Sequence, residues 1–153
     1  MFDESDKVTH RLRALWALHV TGGLEEKWLM RQLENPNQHL RVWAVRLLSE
    51  DKVPSPATLE KMATLAATDK SPRVRLALAS ALQRLPLEER WDIAAGLVAD
   101  EENNEDQNLP LMIWYGIEPA VAADSKRALD LASKCKLSKV RQFIARRIAS
   151  RPR

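Results

Sequence analysis

At 153 residues the chain suits one domain, long enough to bury about 70% of the surface its unfolded form exposes. Apolar residues at 45% and charged residues at 29% exclude a disordered chain. No apolar run approaches the roughly 20 residues of a membrane span, and the start MFDESDKVTH is too polar for a signal peptide, so no membrane contact is expected of this segment. A single cysteine, Cys135, excludes an internal disulfide, a Cys-pair zinc site and a C-x-x-C-H haem attachment. Four glycines argue against phosphate-cradling loops and tight hairpins. The net charge of +3 divides unevenly: Lys126 to the end carries +9 and the rest −6. That basic end reads as a solvated face, or as a contact for nucleic acid or an acidic partner.

Strand signals are missing, and the pattern predicts nine helices, at about 6–20, 24–34, 38–50, 56–68, 72–85, 87–99, 108–118, 124–136 and 139–150. Asn37, Ser55, Ser71 and Ser138 are candidate N-caps, and Pro56 and Pro72 occupy first helical positions, where a missing N–H costs nothing. In the fifth segment Val74, Leu78, Ala81, Leu82 and Leu85 form one apolar stripe, with Arg75 at its edge and its guanidinium reaching outward. "DEENNED", Asp100 to Asp106, holds five acids in seven residues and reads as an exposed loop, a poor place for buried chemistry. Pro119 is expected to end the seventh helix. Short connections make neighbouring helices antiparallel pairs.

One phrase recurs. "NPNQHLRVWAVRLL" from Asn35 and "DKSPRVRLALASAL" from Asp69 each open on a turn residue, place an aliphatic-Arg pair at the same offset and continue as an Ala/Leu-rich run. The cue pairs are Leu12-Arg13, Leu40-Arg41, Val74-Arg75, Leu111-Met112 and Val140-Arg141, with second positions spaced 28, 34, 37 and 29 residues apart. Self-similarity at that period predicts stacked helical hairpins. The combination resembles the second helix of HEAT repeats, and the resemblance implies an all-α, right-handed α-α superhelix of the HEAT/armadillo-like solenoid kind. It also implies that Arg41, Arg75 and Arg141, with Asp69, are rungs of a structural ladder between adjacent repeats, which Met112 interrupts. The alternative for these arginines is ligand binding.

The first and last helices both have the phase of second helices, so residues 1–153 are expected to be one HEAT-like domain excised from a longer chain. "HRLRALWALHVTGGL", "HLRVWAVRLLSED" and "NLPLMIWYGIEPAV" are similar to the HEAT segment of large exported planctomycete-type proteins. There the segment lies between a β-propeller dehydrogenase-like domain and a cytochrome c-like domain. The resemblance implies a non-catalytic scaffold without cofactor, whose partners are neighbouring domains or another protein, in an exported or cell-envelope parent.

Trp16, Trp43 and Trp114 fall just beyond equivalent cues; they are read as core between helices, or as an inner-face stripe that receives a peptide, a domain or a base. Trp114, Tyr115 and Glu118 of "IWYGIEP" are candidate docking residues, and Gly116 would permit close helix approach. Glu118, a lone carboxylate, suits an inter-repeat bond better than general-acid chemistry. Arg147 falls within the apolar arc of the last helix; either its stem runs past the core to the surface or it points toward a following domain. His10, His19 and His39 have no metal-pair spacing. The rival reading is a nucleic-acid-binding domain related to HEAT-like glycosylases for alkylated bases; the acidic remainder of the chain argues against it.

Overall fold

Side-chain caps set where most of the long helices begin. In the computed structural model, which describes residues 7–50 and 54–150, Ser55 and Ser71 accept the amide hydrogens of Thr58 and Val74, and Asn37 accepts that of His39. Asp124 takes two amides, those of Lys126 and Arg127, at 3.0 Å each. Each cap satisfies N–H groups that a helix start leaves open. Ser138 does not cap; it is the first helical residue, and its N–H is held by Asn104 instead.

Among the described residues the structure is all helical: α1 (Val8–Val20), α2 (Glu26–Gln32), α3 (Gln38–Leu48), α4 (Pro56–Thr68), α5 (Pro72–Ala81), α6 (Trp91–Val98), α7 (Leu109–Ala123), α8 (Ser125–Lys134) and α9 (Ser138–Ala149). Tighter 3₁₀ turns at Leu82–Arg84, Leu87–Arg90 and Glu101–Asn104 fill the connections around α6. α7 runs through Pro119 rather than stopping before it. The hydrogen bond a proline cannot donate would have gone to Tyr115, and both residues lie on the exposed face, where water can serve the freed carbonyl.

Two rows of helices meet over one core. In one row α1, α3, α5, α7 and α9 pack each on the next; in the other, α4, α6 and α8 do the same, while α2 rests on α3. The stripe seen in the sequence of α5 is buried along its whole length, Val74, Leu78 and Leu82 completely. Leu15, Leu40, Ile113 and Ile144 bring the other helices of that row into the same cluster, opposite Met62, Ile93, Leu97 and Leu131. Each such side chain contributes about 1.5–3 kcal/mol relative to exposure, and no single pair of helices could cover this surface alone.

Two glycines set the closest approaches. A Cβ on Gly96 would come within 2.8 Å of the Ala67 backbone nitrogen and 2.9 Å of Ala66 Cβ, so α6 lies directly on α4. A Cβ on Gly116 would meet Leu82 Cβ at 2.6 Å, which seats α7 on the end of α5. Elsewhere in a helix Gly→Ala gains roughly 1 kcal/mol. Here the sign reverses: Gly96→Ala, opposed by backbone that cannot swing aside, should cost about 1–3 kcal/mol in chemical denaturation. A variant as stable as the parent, or more so, would show that the two helices are not in contact there.

Candidate functional site

The repeated arginines lead into a polar seam along the turns. Arg41 donates from Nε to Asp69 Oδ2 at 2.7 Å and from Nη2 to Oδ1 at 3.1 Å, while Nη1 donates to the carbonyls of Asn35 and Pro36 in its own turn. Asp69 is only 8% exposed, and its Oδ1 also accepts the Ser71 amide at 2.8 Å. The fork-to-carboxylate match fixes both distance and orientation between the two turns.

Arg75 carries the seam onward. Its Nε donates to the backbone carbonyl of Asp69 at 2.6 Å, Nη1 donates to Asn103 Oδ1 at 2.8 Å, and Nη2 stands 2.5 Å from Asp100 Oδ2. At 6% exposed it is buried inside the packing, not at the edge of a stripe with its head in water. The segment read as an exposed acidic loop does expose Glu101, Glu102 and Glu105, but its Asp100 and Asn103 are structural partners of Arg75. Asn103 is buried and donates to Leu97 O at 2.9 Å. Asn104 donates to Lys136 O and accepts from the Ser138 amide, each at 3.1 Å. At the point where Met112 interrupts the arginine series, a side-chain amide makes the link between turns. Arg141 makes none: it is exposed, with no carboxylate at ion-pair distance among the described residues. Arg41 and Arg75 reach acids 28 and 25 positions further along.

A second buried arginine escaped the sequence pattern. Arg90 donates to Leu85 O at 2.8 Å, to Gly116 O at 2.6 Å and to Gln83 O at 3.4 Å, tying α7 to the end of α5 without any carboxylate. Burial pushes its pKa below the ordinary arginine value. Nothing in "LEERW" separates it from a solvated arginine; only packing does. Asn103 did leave a trace, since it follows Arg75 by the same 28 residues that separate Asp69 from Arg41.

The four docking candidates part company. Trp114 lies against Phe143 of α9, ring centroids 5.4 Å apart, and Glu118 Oε1 sits 2.7 Å from Arg147 Nε in an ion contact whose angle is not that of a hydrogen bond. Arg147 thus turns back onto α7 instead of pointing away from the stack. Tyr115 alone, 58% exposed, faces open surface. The tryptophans divide too: Trp91 is buried, whereas Trp16 is 40% exposed and meets Trp43 edge-on at 5.1 Å.

Tyr115 belongs to a groove of about 640 Å³ across α3, α5 and α7. Each helix offers it the same i, i+3, i+4, i+7 quartet: His39, Val42, Trp43, Arg46; Arg73, Leu76, Ala77, Ser80; Asn108, Leu111, Met112, Tyr115. The inner pairs form an apolar band. The outer members, two helical turns apart, border it with polar groups. No carboxylate lines this groove, and His39, Arg46 and Arg73 have no acidic partner among the described residues. Arg46 does lie over the Trp43 ring at 5.2 Å.

Cys135 is buried, its thiol bonded to Leu137 O at 3.4 Å and its pKa raised by burial, the environment of a packing group. Among the described residues no three His, Cys, Asp or Glu side chains converge as metal ligands, and no helix is long and apolar enough to cross a membrane. Comparison with family models, with curated proteins and with solved structures finds no match for this chain.

Arg75→Ala strands Asp100 and Asn103 beside the core and should cost about 2–4 kcal/mol in urea denaturation, whereas Arg141→Ala should stay within about 0.5 kcal/mol. Equal effects would mean that the seam does not hold the turns together.

A pH effect follows from Glu26, whose Oε1 accepts from the buried Thr58 hydroxyl at 2.6 Å and the Ser55 amide at 2.7 Å, joining α2 to α4. The Thr58 bond, more than any other contact, holds its pKa below the usual carboxylate value. The stabilisation is complete above the unfolded-state pKa and fades as pH falls through the lowered folded-state value. Melting curves of the parent and Glu26→Gln should therefore differ at neutral pH and converge in acid; a constant gap across that range would rule the linkage out.

Proposed function

We propose that the chain is a non-catalytic scaffold and docking domain, a right-handed α-α superhelix of HEAT type. The observation that supports this most directly is the polar seam. It runs from the turn at Asn35 through Arg41, Asp69, Arg75, Asn103 and Asn104 to Ser138, tying together the connections that precede α3, α5, α7 and α9. From α3 to α9 each helix of this row packs chiefly on its neighbours in the row, while α1 touches α3 more thinly, so strain along that stretch passes through successive packed contacts. Such an object suits an arm that keeps two attached bodies in fixed relation. By the resemblance of its "RALWAL" and "WYGIEP" phrases, those bodies are a propeller dehydrogenase-like domain and a cytochrome c-like domain of a larger exported protein.

Spin labels at Thr9→Cys and Arg146→Cys, both exposed, in a Cys135→Ala background, test the arm. Double electron–electron resonance should return a single narrow distance distribution. A broad or multimodal one would overturn the rigid-arm reading, and release of a base from alkylated DNA by the isolated chain would overturn the non-catalytic one.

A further inference from the structure

We propose that the groove across α3, α5 and α7 binds an extended acidic peptide with aliphatic side chains at alternate positions. The inference rests on the docking-scaffold reading and names the partner class. The charge of this face is one-sided. Arg46, Arg73 and His39 line the groove without an acidic partner among the described residues, and no acid lines the site. An uncompensated positive border along an apolar band is complementary to a chain that combines negative charge with apolar groups.

Dimensions favour an extended segment. Three packed helices about 8–10 Å apart span roughly 18 Å between outer axes, the length of about six residues at ~3.3 Å each. In such a segment alternate side chains share one face. Leucines on that face would meet Val42, Leu76, Leu111 and Met112; the intervening acids leave by the opposite face, where the long, flexible stems of Arg46 at one border and Arg73 at the other can fold up to them. Single-stranded nucleic acid fits less well, because it needs free aromatic faces in succession. Trp43 is covered by Arg46 and abutted by Trp16, leaving Tyr115 as the open ring.

The test uses the full chain and a fluorescein-labelled peptide of about eight residues alternating aspartate and leucine, read by anisotropy. Saturable binding is expected, weakened about tenfold by Arg46→Glu with Arg73→Glu, and unchanged by Lys126→Glu on α8 outside the groove. Leu76→Ser, a change at an exposed position that leaves the core intact, should also weaken it several-fold. Absence of saturable binding would overturn the proposal, as would indifference to the paired charge reversal. Equal affinity for an aspartate–serine peptide, or tighter binding of oligothymidylate of the same length, would do so too. A narrow spin-label distance with no peptide binding removes the groove assignment alone; a broad distance removes the arm.

Discussion

Arg75 is the residue through which most of this architecture communicates. It is buried, it holds the backbone of the turn before its own helix, and it reaches an aspartate and an asparagine in the segment that precedes α7. A buried arginine is tolerable only when each N–H finds an acceptor, and these acceptors lie in the turn before α5 and in the segment between α6 and α7. Moving one hairpin past the next by a single residue would strip the guanidinium of its partners while leaving apolar contacts largely interchangeable. Hydrophobic burial supplies the bulk of the stabilisation and says little about register; the seam discriminates among registers.

The same division of labour explains the small residues at the close contacts. Gly96 on α6 and Gly116 on α7 let helices approach until backbone meets backbone or a leucine stem, and that proximity brings Gly116 O within reach of Arg90. A side chain at position 116 would push α7 away from α5 and take from Arg90 one of its three carbonyls. Packing at the apolar seam and satisfaction of the buried charge are therefore one constraint, not two.

What could be read in advance follows from what repeats. Arg41 with Asp69 stood in a phrase written twice, and the stripe of α5 obeyed helical periodicity, so both were legible. Asn103 and Asn104 were not, because "DEENNED" has the composition of solvated chain and its longer connection shifts the register; only the 28-residue offset from Arg75 marked one of them. Pro119 misled because propensity treats a proline as a break, whereas the cost is small where the orphaned carbonyl faces water. Arg147 was placed on the right face of α9, but its partner, Glu118, sits 29 residues earlier on another helix, a distance at which a single sequence carries no pairing signal. The groove was the largest omission. Its three quartets are spaced by 34 and 35 residues, matching the repeat, yet four half-polar positions per helix look like ordinary surface until the helices lie side by side.

The arrangement also separates the residues that hold register from those free to vary at the surface. Residues of the seam are bonded on several sides, so substitution there is paid in stability. The groove quartets touch the core only through their inner members, and His39, Arg46, Arg73, Ser80, Asn108 and Tyr115 can vary without disturbing Leu40, Leu78 or Ile113 beneath them. Surface electrostatics can thus be rewritten on a frame whose register is held elsewhere. Arg41 and Arg75 of the frame are paired with carboxylates, whereas Arg46 and Arg73 of the groove have no acidic partner among the described residues. An arginine without a carboxylate beside it keeps its capacity to recognise one outside the molecule, and in the groove that capacity borders an apolar band.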